Sequence, residues 1–244
     1  MKMNARMLQK LVGRILVVGI VCAAATPVAL SSGSVAFAAC SSDEHVWLGT
    51  QGSVSSAAGA QAPIQVVNDT YCSTAGNMYY YEGVEGPGSV ALAQAGWGEG
   101  QGIGGPHVFT DYFTTTGTQY GPFIHQSLSN LDNSTYKTIV YYDSGRRTSV
   151  GASYRNGTTI DSQAIDWSSG TGLEFLGESY STYNHWNSYF GGDLYCTNSG
   201  GSICTPGTAY TSSYTYHGDS DACWSAPTSN TQNMWDKRDR GGSC

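Results

Sequence analysis

Charge is scarce in this sequence: 12% of the 244 residues are Asp, Glu, Lys or Arg, with 11 basic against 18 acidic side chains. Lysine is nearly absent, and the only basic clusters are Arg146-Arg147 and Lys237-Arg238. That excludes a nucleic-acid binder, because phosphate backbones are held by stripes of cations. Neither Cys-x-x-Cys nor His-x-x-x-His occurs, so the ligand spacing of a zinc site is missing and no metal or other cofactor is expected. Without a Gly-x-Ser-x-Gly elbow, a serine nucleophile has no support. Leu, Glu and Lys never accumulate at a 3.6-residue period, which excludes a helical bundle. What remains is Gly, Ser, Thr, Asn and Tyr, an all-β composition.

The N-terminus reads as an address. Lys2, Arg6, Lys10 and Arg14 precede an apolar run over 15–30, and Ala36-Phe37-Ala38 offers small residues where a signal peptidase cuts. Pro27 and the polar residues after it make the run too short for a membrane span. Residues 1–38 are therefore expected to be a secretory signal peptide, residues 39–192 a β-sandwich, and residues 193–244 a cysteine-rich extension packed on it. Cleavage lowers the basic count to 7 and leaves a net charge of −11. Phe37-Ala38-Ala39-Cys40 also resembles a lipoprotein box, but Phe37 fits it poorly. Lipidation of Cys40 would also strand one of six remaining thiols: Cys40, Cys72, Cys196, Cys204, Cys223 and Cys244. Six cysteines in an exported chain point to three disulfides, with the pairing open. A secreted monomer, with no membrane attachment once mature, is the expectation.

Short β-prone runs at 64–67, 78–81, 90–94, 107–114, 136–142, 148–154, 158–160 and 173–180, separated by turn signals, have the spacing of a two-sheet antiparallel sandwich with disulfide-tethered loops. Asn156-Gly157 is a hairpin turn, since it tolerates the positive φ angles of type I′. The Gly100, Gly102, Gly105 pattern is no dinucleotide fingerprint, because Pro106 and a β-prone run follow it instead of a helix. Residues 98–106 read as a flexible loop.

In Leu173-Glu174-Phe175-Leu176-Gly177-Glu178, strand alternation puts Glu174, Leu176 and Glu178 on one face. Two carboxylates there are costly unless solvated, paired or used. Each of the five histidines is isolated in sequence. The segment is similar to the catalytic-glutamate strand of the glutamic peptidases (the eqolisin family). Ala91-Leu92-Ala93-Gln94-Ala95-Gly96 resembles the strand that carries their catalytic glutamine, and Phe109-Thr110-Asp111-Tyr112-Phe113 resembles their aromatic-acidic-aromatic strand. The likeness covers about 90–180. It implies a concanavalin-like jelly roll with a Gln94/Glu174 dyad acting on a polypeptide, Asp111 and Glu178 tuning the acidity of Glu174, and Trp97 and Tyr112 lining the site.

Two other readings stay open. Glu174 and Glu178, four apart on one strand, have the spacing of a laminarinase-type glycosidase pair, although Leu176 stands where those enzymes carry Asp. A non-catalytic sandwich could instead hold a polysaccharide or a surface on Trp97, Trp167, Trp186 and the tyrosines.

Overall fold

A computed structural model of the chain describes residues 45–67, 76–88, 90–181, 184–198, 201–211, 215–217, 221–228, 230–242 and 244. The expected signal peptide, Cys40 and Cys72 lie outside them. In chain order the strands are β1 (Val46–Gln65), β2 (Asn77–Glu85), β3 (Leu92–Gly100), β4 (Gly104–Phe113), β5 (Gln119–Ser127), β6 (Asn133–Asp143), β7 (Thr148–Arg155), β8 (Thr158–Ile165) and β9 (Gly170–Ser179). They continue with β10 (Asn187–Gly191), β11 (Leu194–Thr197), β12 (Thr208–Ala209), β13 (Thr215–His217), β14 (Ala222–Ser225) and β15 (Thr231–Asp236), and one 3₁₀ turn follows at Lys237–Arg240. Every pairing is antiparallel. Among the described residues no helix is long and apolar enough to cross a membrane.

The two layers share β1. Its first half pairs with β9 and its second half with β6, and the register shifts between Ser53 and Ala57. Ser56 sits at φ 57°, the left-handed conformation that lets the strand turn from one sheet into the other. The first sheet runs β1-β9-β2-β3-β4-β5, and the second continues from the far half of β1 through β6, β7 and β8. This is the all-β, two-sheet antiparallel sandwich that the spacing of the runs predicts.

Alternation assigns the faces. Tyr80, Val84, Ala93, Trp97, Tyr112, Leu173 and Phe175 of the first sheet pack with Tyr136 and Val140 of the second in one core. Trp97 stacks on Tyr80 at 4.6 Å, and burial of a side chain such as Leu173 or Phe175 stabilises by about 1.5–3 kcal/mol. Glu82 is fully buried in that interior: Thr138 Oγ1 donates to its Oε1 at 2.8 Å, and burial holds its carboxyl well above the usual carboxylate range. The C-terminal strands are hydrogen-bonded into the same sheets, β11 and β13 to β1 and β15 to β10. Trp186 and Met234 lie close beneath Gly177, filling the core under β1 and β9. Disulfides link Cys196 to Cys204 and Cys223 to Cys244.

Three expectations need revision. The supposed loop over 98–106 is a tight hairpin, because β3 runs through Gly100 and β4 begins at Gly104. β1 is far longer than the 64–67 run, and β5 gives no alternating signal because nearly all of it is exposed. The Asn156-Gly157 turn is as expected, with φ of 50° and 80°.

Candidate active site on the outer face of the first sheet

The outward residues of five adjacent strands line up. Gln51 on β1 opposes Glu174 on β9, Glu174 opposes Gly83 on β2, Gly83 opposes Gln94 on β3, and Gln94 opposes Asp111 on β4. Neighbouring strands lie about 4.8 Å apart, so the Gln94 and Glu174 backbones are about 9.6 Å apart with only a glycine between them. A Cβ on Gly83 would approach the Gln94 Cβ at 3.3 Å, which places the missing side chain in the space flanked by the two polar groups. The Gln94 Oε1 is buried and accepts no hydrogen bond among the described residues.

Glu174 is 9% exposed and accepts a 2.7 Å hydrogen bond from Gln51 Nε2. The same Nε2 donates to Glu85 Oε1. Glu85 reaches Glu174 because it stands opposite Gly172, where any Cβ would overlap its Oε2. Burial pushes the Glu174 carboxyl well above the usual range. The Glu85 charge, a hydrogen bond between the two carboxyls and the Glu178 charge add to that rise, and Gln51 opposes it.

Glu178 is held separately. His45 Nε2 contacts its Oε1, the Tyr180 hydroxyl bonds to it, and the His45 ring stacks on Tyr180 at 4.2 Å. Between the two glutamates, Leu176 packs with Tyr79, Tyr81 and Phe109 into an apolar floor, with Trp47, Ile103 and Tyr180 around it. Asp111 is pushed up to about 7 by burial, against hydrogen bonds from Gln119 Nε2 at 2.9 Å and the Tyr112 backbone N–H at 3.0 Å; the Glu178 charge adds to the rise.

Of the residues singled out in the sequence, Gln94, Asp111, Glu174 and Glu178 thus share one face. Trp97 and Tyr112 do not: both are fully buried in the interlayer core, where Tyr112 donates to Ser153 Oγ at 2.9 Å. They are core residues because odd and even positions of β3 and β4 point to opposite sides. Trp167 and Trp186 are buried there too. His45 is no isolated histidine, and Glu85 and Gln51 had no signal of their own, although the alternation Tyr79, Tyr81, Gly83, Glu85 would have placed Glu85 on this face.

Elsewhere, His185, Asp236 and Asp239 could converge on a cation, but Arg238 already engages the Asp236 carboxylate with its Nε at 2.8 Å. A 280 Å³ cavity at the β1 bend, lined by Val54, Tyr195 and Tyr210 among others, contains no carboxylate or histidine.

The fold and face together define a two-sheet antiparallel sandwich with a carboxylate- and amide-bearing outer sheet. Among solved structures, the chain is similar to scytalido-glutamic peptidase bound to a peptide-based transition state analog: 13% identity, TM-score 0.48, covering 79% of this chain and 98% of that one. It is similar to SCP-B, a member of the eqolisin family of peptidases, in complex with the tripeptide Ala-Ile-His, at 13% identity, TM-score 0.49 and the same coverage. A Bacillus licheniformis β-glucanase matches at 10% identity and TM-score 0.37, over 79% of this chain and 78% of that one. These likenesses concern the course of the chain and assign no residue a role. No protein-family model matches the sequence, and no curated protein matches it.

Proposed function

We propose that the protein is an exported, acid-active endopeptidase in which Glu174 activates water and Gln94 stabilises the oxyanion. The observation that carries this is the cross-strand row: a base and an amide face one another across Gly83. In the Glu174 anion, a carboxylate oxygen takes a proton from water as the water oxygen attacks the scissile carbonyl. The Gln94 Nε2 donates to the developing oxyanion, and its Oε1, with no donor among the described residues, accepts from the attacking water. Glu174 then returns the proton to the leaving amine. Burial and neighbouring carboxylates retain its proton at higher pH than an ordinary glutamate, which fits work in mildly acidic rather than strongly acidic surroundings. The apolar floor beside Leu176 suits a hydrophobic residue of an extended polypeptide. The two disulfides fit an oxidising compartment and support export.

A glycosidase pairing of Glu174 with Glu178 has less support, since Leu176 fills the position between them and His45 and Tyr180 already engage Glu178. The test is hydrolysis of a denatured protein from about pH 2 to 7. Glu174→Gln and Gln94→Ala are each expected to lower kcat/KM by about 10²-fold or more while the thermal melt is kept. Cleavage unaffected by either change refutes the dyad, and polysaccharide binding without cleavage selects the non-catalytic reading.

A further inference from the structure

We propose that Ser127 and His107 form a second hydrolytic centre, a serine nucleophile with its general base, that takes short-chain carboxylic esters. It stands apart from the row of Glu174 and Gln94 and does not depend on the peptidase reading. His107 and Asp111 are four residues apart on β4, a span of about 13 Å.

Three groups meet within hydrogen-bond distance. Ser127 Oγ lies 3.0 Å from His107 Nε2, and His107 Nδ1 lies 2.6 Å from the Gly105 carbonyl oxygen. A carbonyl only accepts, so Nδ1 carries the ring hydrogen, and in the neutral ring Nε2 is left to accept from the Ser127 hydroxyl. Nucleophile, base and a group that orients the base are the parts an activated serine needs. No Gly-x-Ser-x-Gly turn supplies them here; two neighbouring strands do.

An irregularity in β5 aims the serine. His107 opposes Ser127 and Phe109 opposes Ile124, so a two-residue step on β4 is matched by a three-residue step on β5. In a regular strand Ser127 and Ile124 would point to opposite faces. The extra residue turns both to the outer face, beside His107 and Phe109, as bulges next to active sites do. Leu128 N–H donates to the Pro106 carbonyl at 2.8 Å, so by the alternation of an antiparallel ladder the Ser127 N–H points away from β4. Among the described residues β5 ends the sheet, and no further strand takes that N–H. It stands next to the Ser127 hydroxyl, where a serine's own backbone amide can hold the oxyanion of its acyl adduct. The approach is open, since a Cβ at Gly104 or Gly105 would meet nothing within 4 Å. Ile124, 41% exposed, offers apolar surface on the same face. One oxyanion donor and one small apolar contact suit an ester with a short acyl chain rather than a peptide, because an alcohol leaves more readily than an amine.

Ser127 Oγ attacks the ester carbonyl carbon as His107 Nε2 takes its proton, and the carbonyl electron pair moves to oxygen, toward the Ser127 N–H. That pair then re-forms the carbonyl, the bond to the alcohol oxygen breaks, and Nε2 passes the proton to the departing alcohol. Water attacks the acyl-serine with Nε2 again as the base. The carboxylic acid leaves and Ser127 regains its proton. Ester and water become acid and alcohol, and nothing else is consumed.

The probe is p-nitrophenyl acetate, added to the full chain. Mass spectrometry of the digested protein is expected to find an acetyl group on Ser127 and none on Ser129, which is also exposed. Release of p-nitrophenolate is expected to fall about 10²-fold or more in Ser127→Ala and in His107→Ala, with the thermal melt kept. Should His107→Ala fail to fold, His107→Gln replaces it: the amide can still donate to the Gly105 carbonyl but offers no base, so the same loss of rate is expected. Acetyl groups scattered over lysines and histidines overturn the proposal. So does a rate that survives Ser127→Ala, because an imidazole acting alone needs no serine, and so does a rate that survives both changes at His107.

Discussion

Gly172 and Gly83 shape the site as much as its charged residues do. At Gly172 the missing Cβ is what lets Glu85 lie over β9. Gly172→Ala is expected to push Glu85 aside, so that Glu174 loses its strongest neighbouring charge and its carboxyl falls toward the ordinary range. The acid limb of the pH–rate profile then moves to lower pH, and a limb that stays put argues that burial alone sets Glu174. Gly83→Leu tests the row from the other side: a branched side chain between Glu174 and Gln94 should cut kcat/KM by about 10²-fold or more with circular dichroism unchanged, as expected for the loss of a positioned acid–base group. Alternation was enough to put Glu174, Leu176 and Glu178 together, but it could not choose between Glu82 and Glu85. These lie three apart on one strand, and so on opposite faces. One is sealed in the core against Thr138 and the other joins the site, and only the register of β2 against β9 tells them apart.

At the level of elements, legibility followed the type of residue each strand is made from. β4 and the β7–β8 hairpin carry Val, Phe, Tyr and an Asn-Gly turn, and their positions could be read. Most of β1 is Gly, Ser, Ala and Gln, small or polar residues with no strand signature, yet it is the strand that ties the layers together. Its small side chains suit a strand flanked on both edges, and the left-handed Ser56 marks its bend. Replacing Ser56 with Val should cost about 1–2 kcal/mol, because a branched Cβ is poorly tolerated at positive φ; an unchanged melting temperature would mean the bend is set elsewhere. The same face logic decides the aromatic residues. Trp97→Ala is expected to destabilise by about 3–5 kcal/mol, the cost of emptying a filled core position. Were Trp97 a ligand-facing residue, the melt would hold and only binding or turnover would suffer.

Over the whole molecule, the buried acids that form no ion pair among the described residues set the response to pH. Asp111 and Asp193 are each pushed from an ordinary 3.8 up to about 7 by burial, while Glu82 and Glu174 are raised well above their usual range. For each, the folded pKa exceeds the unfolded one, so the unfolded chain loses its proton first as pH rises. The stabilisation is complete below about 3.8 and drains away as pH climbs through about 7. One carboxyl moved from 3.8 to about 7 accounts for roughly 4 kcal/mol across that window. Asp236 works in the opposite sense: Arg238 holds its carboxyl below the usual range, and that contribution is lost only in stronger acid. The balance favours a stability maximum near about pH 4 and a steady decline toward neutrality. Urea melts at a series of pH values should follow that curve. Asp111→Asn with Asp193→Asn should flatten the slope between about pH 4 and 7, since an amide keeps the shape of the protonated acid and has nothing to ionise. Stability that rises across the same interval would mean these carboxyls are ionised inside the fold, and the acid-active reading of the face that carries Asp111 would lose its electrostatic basis.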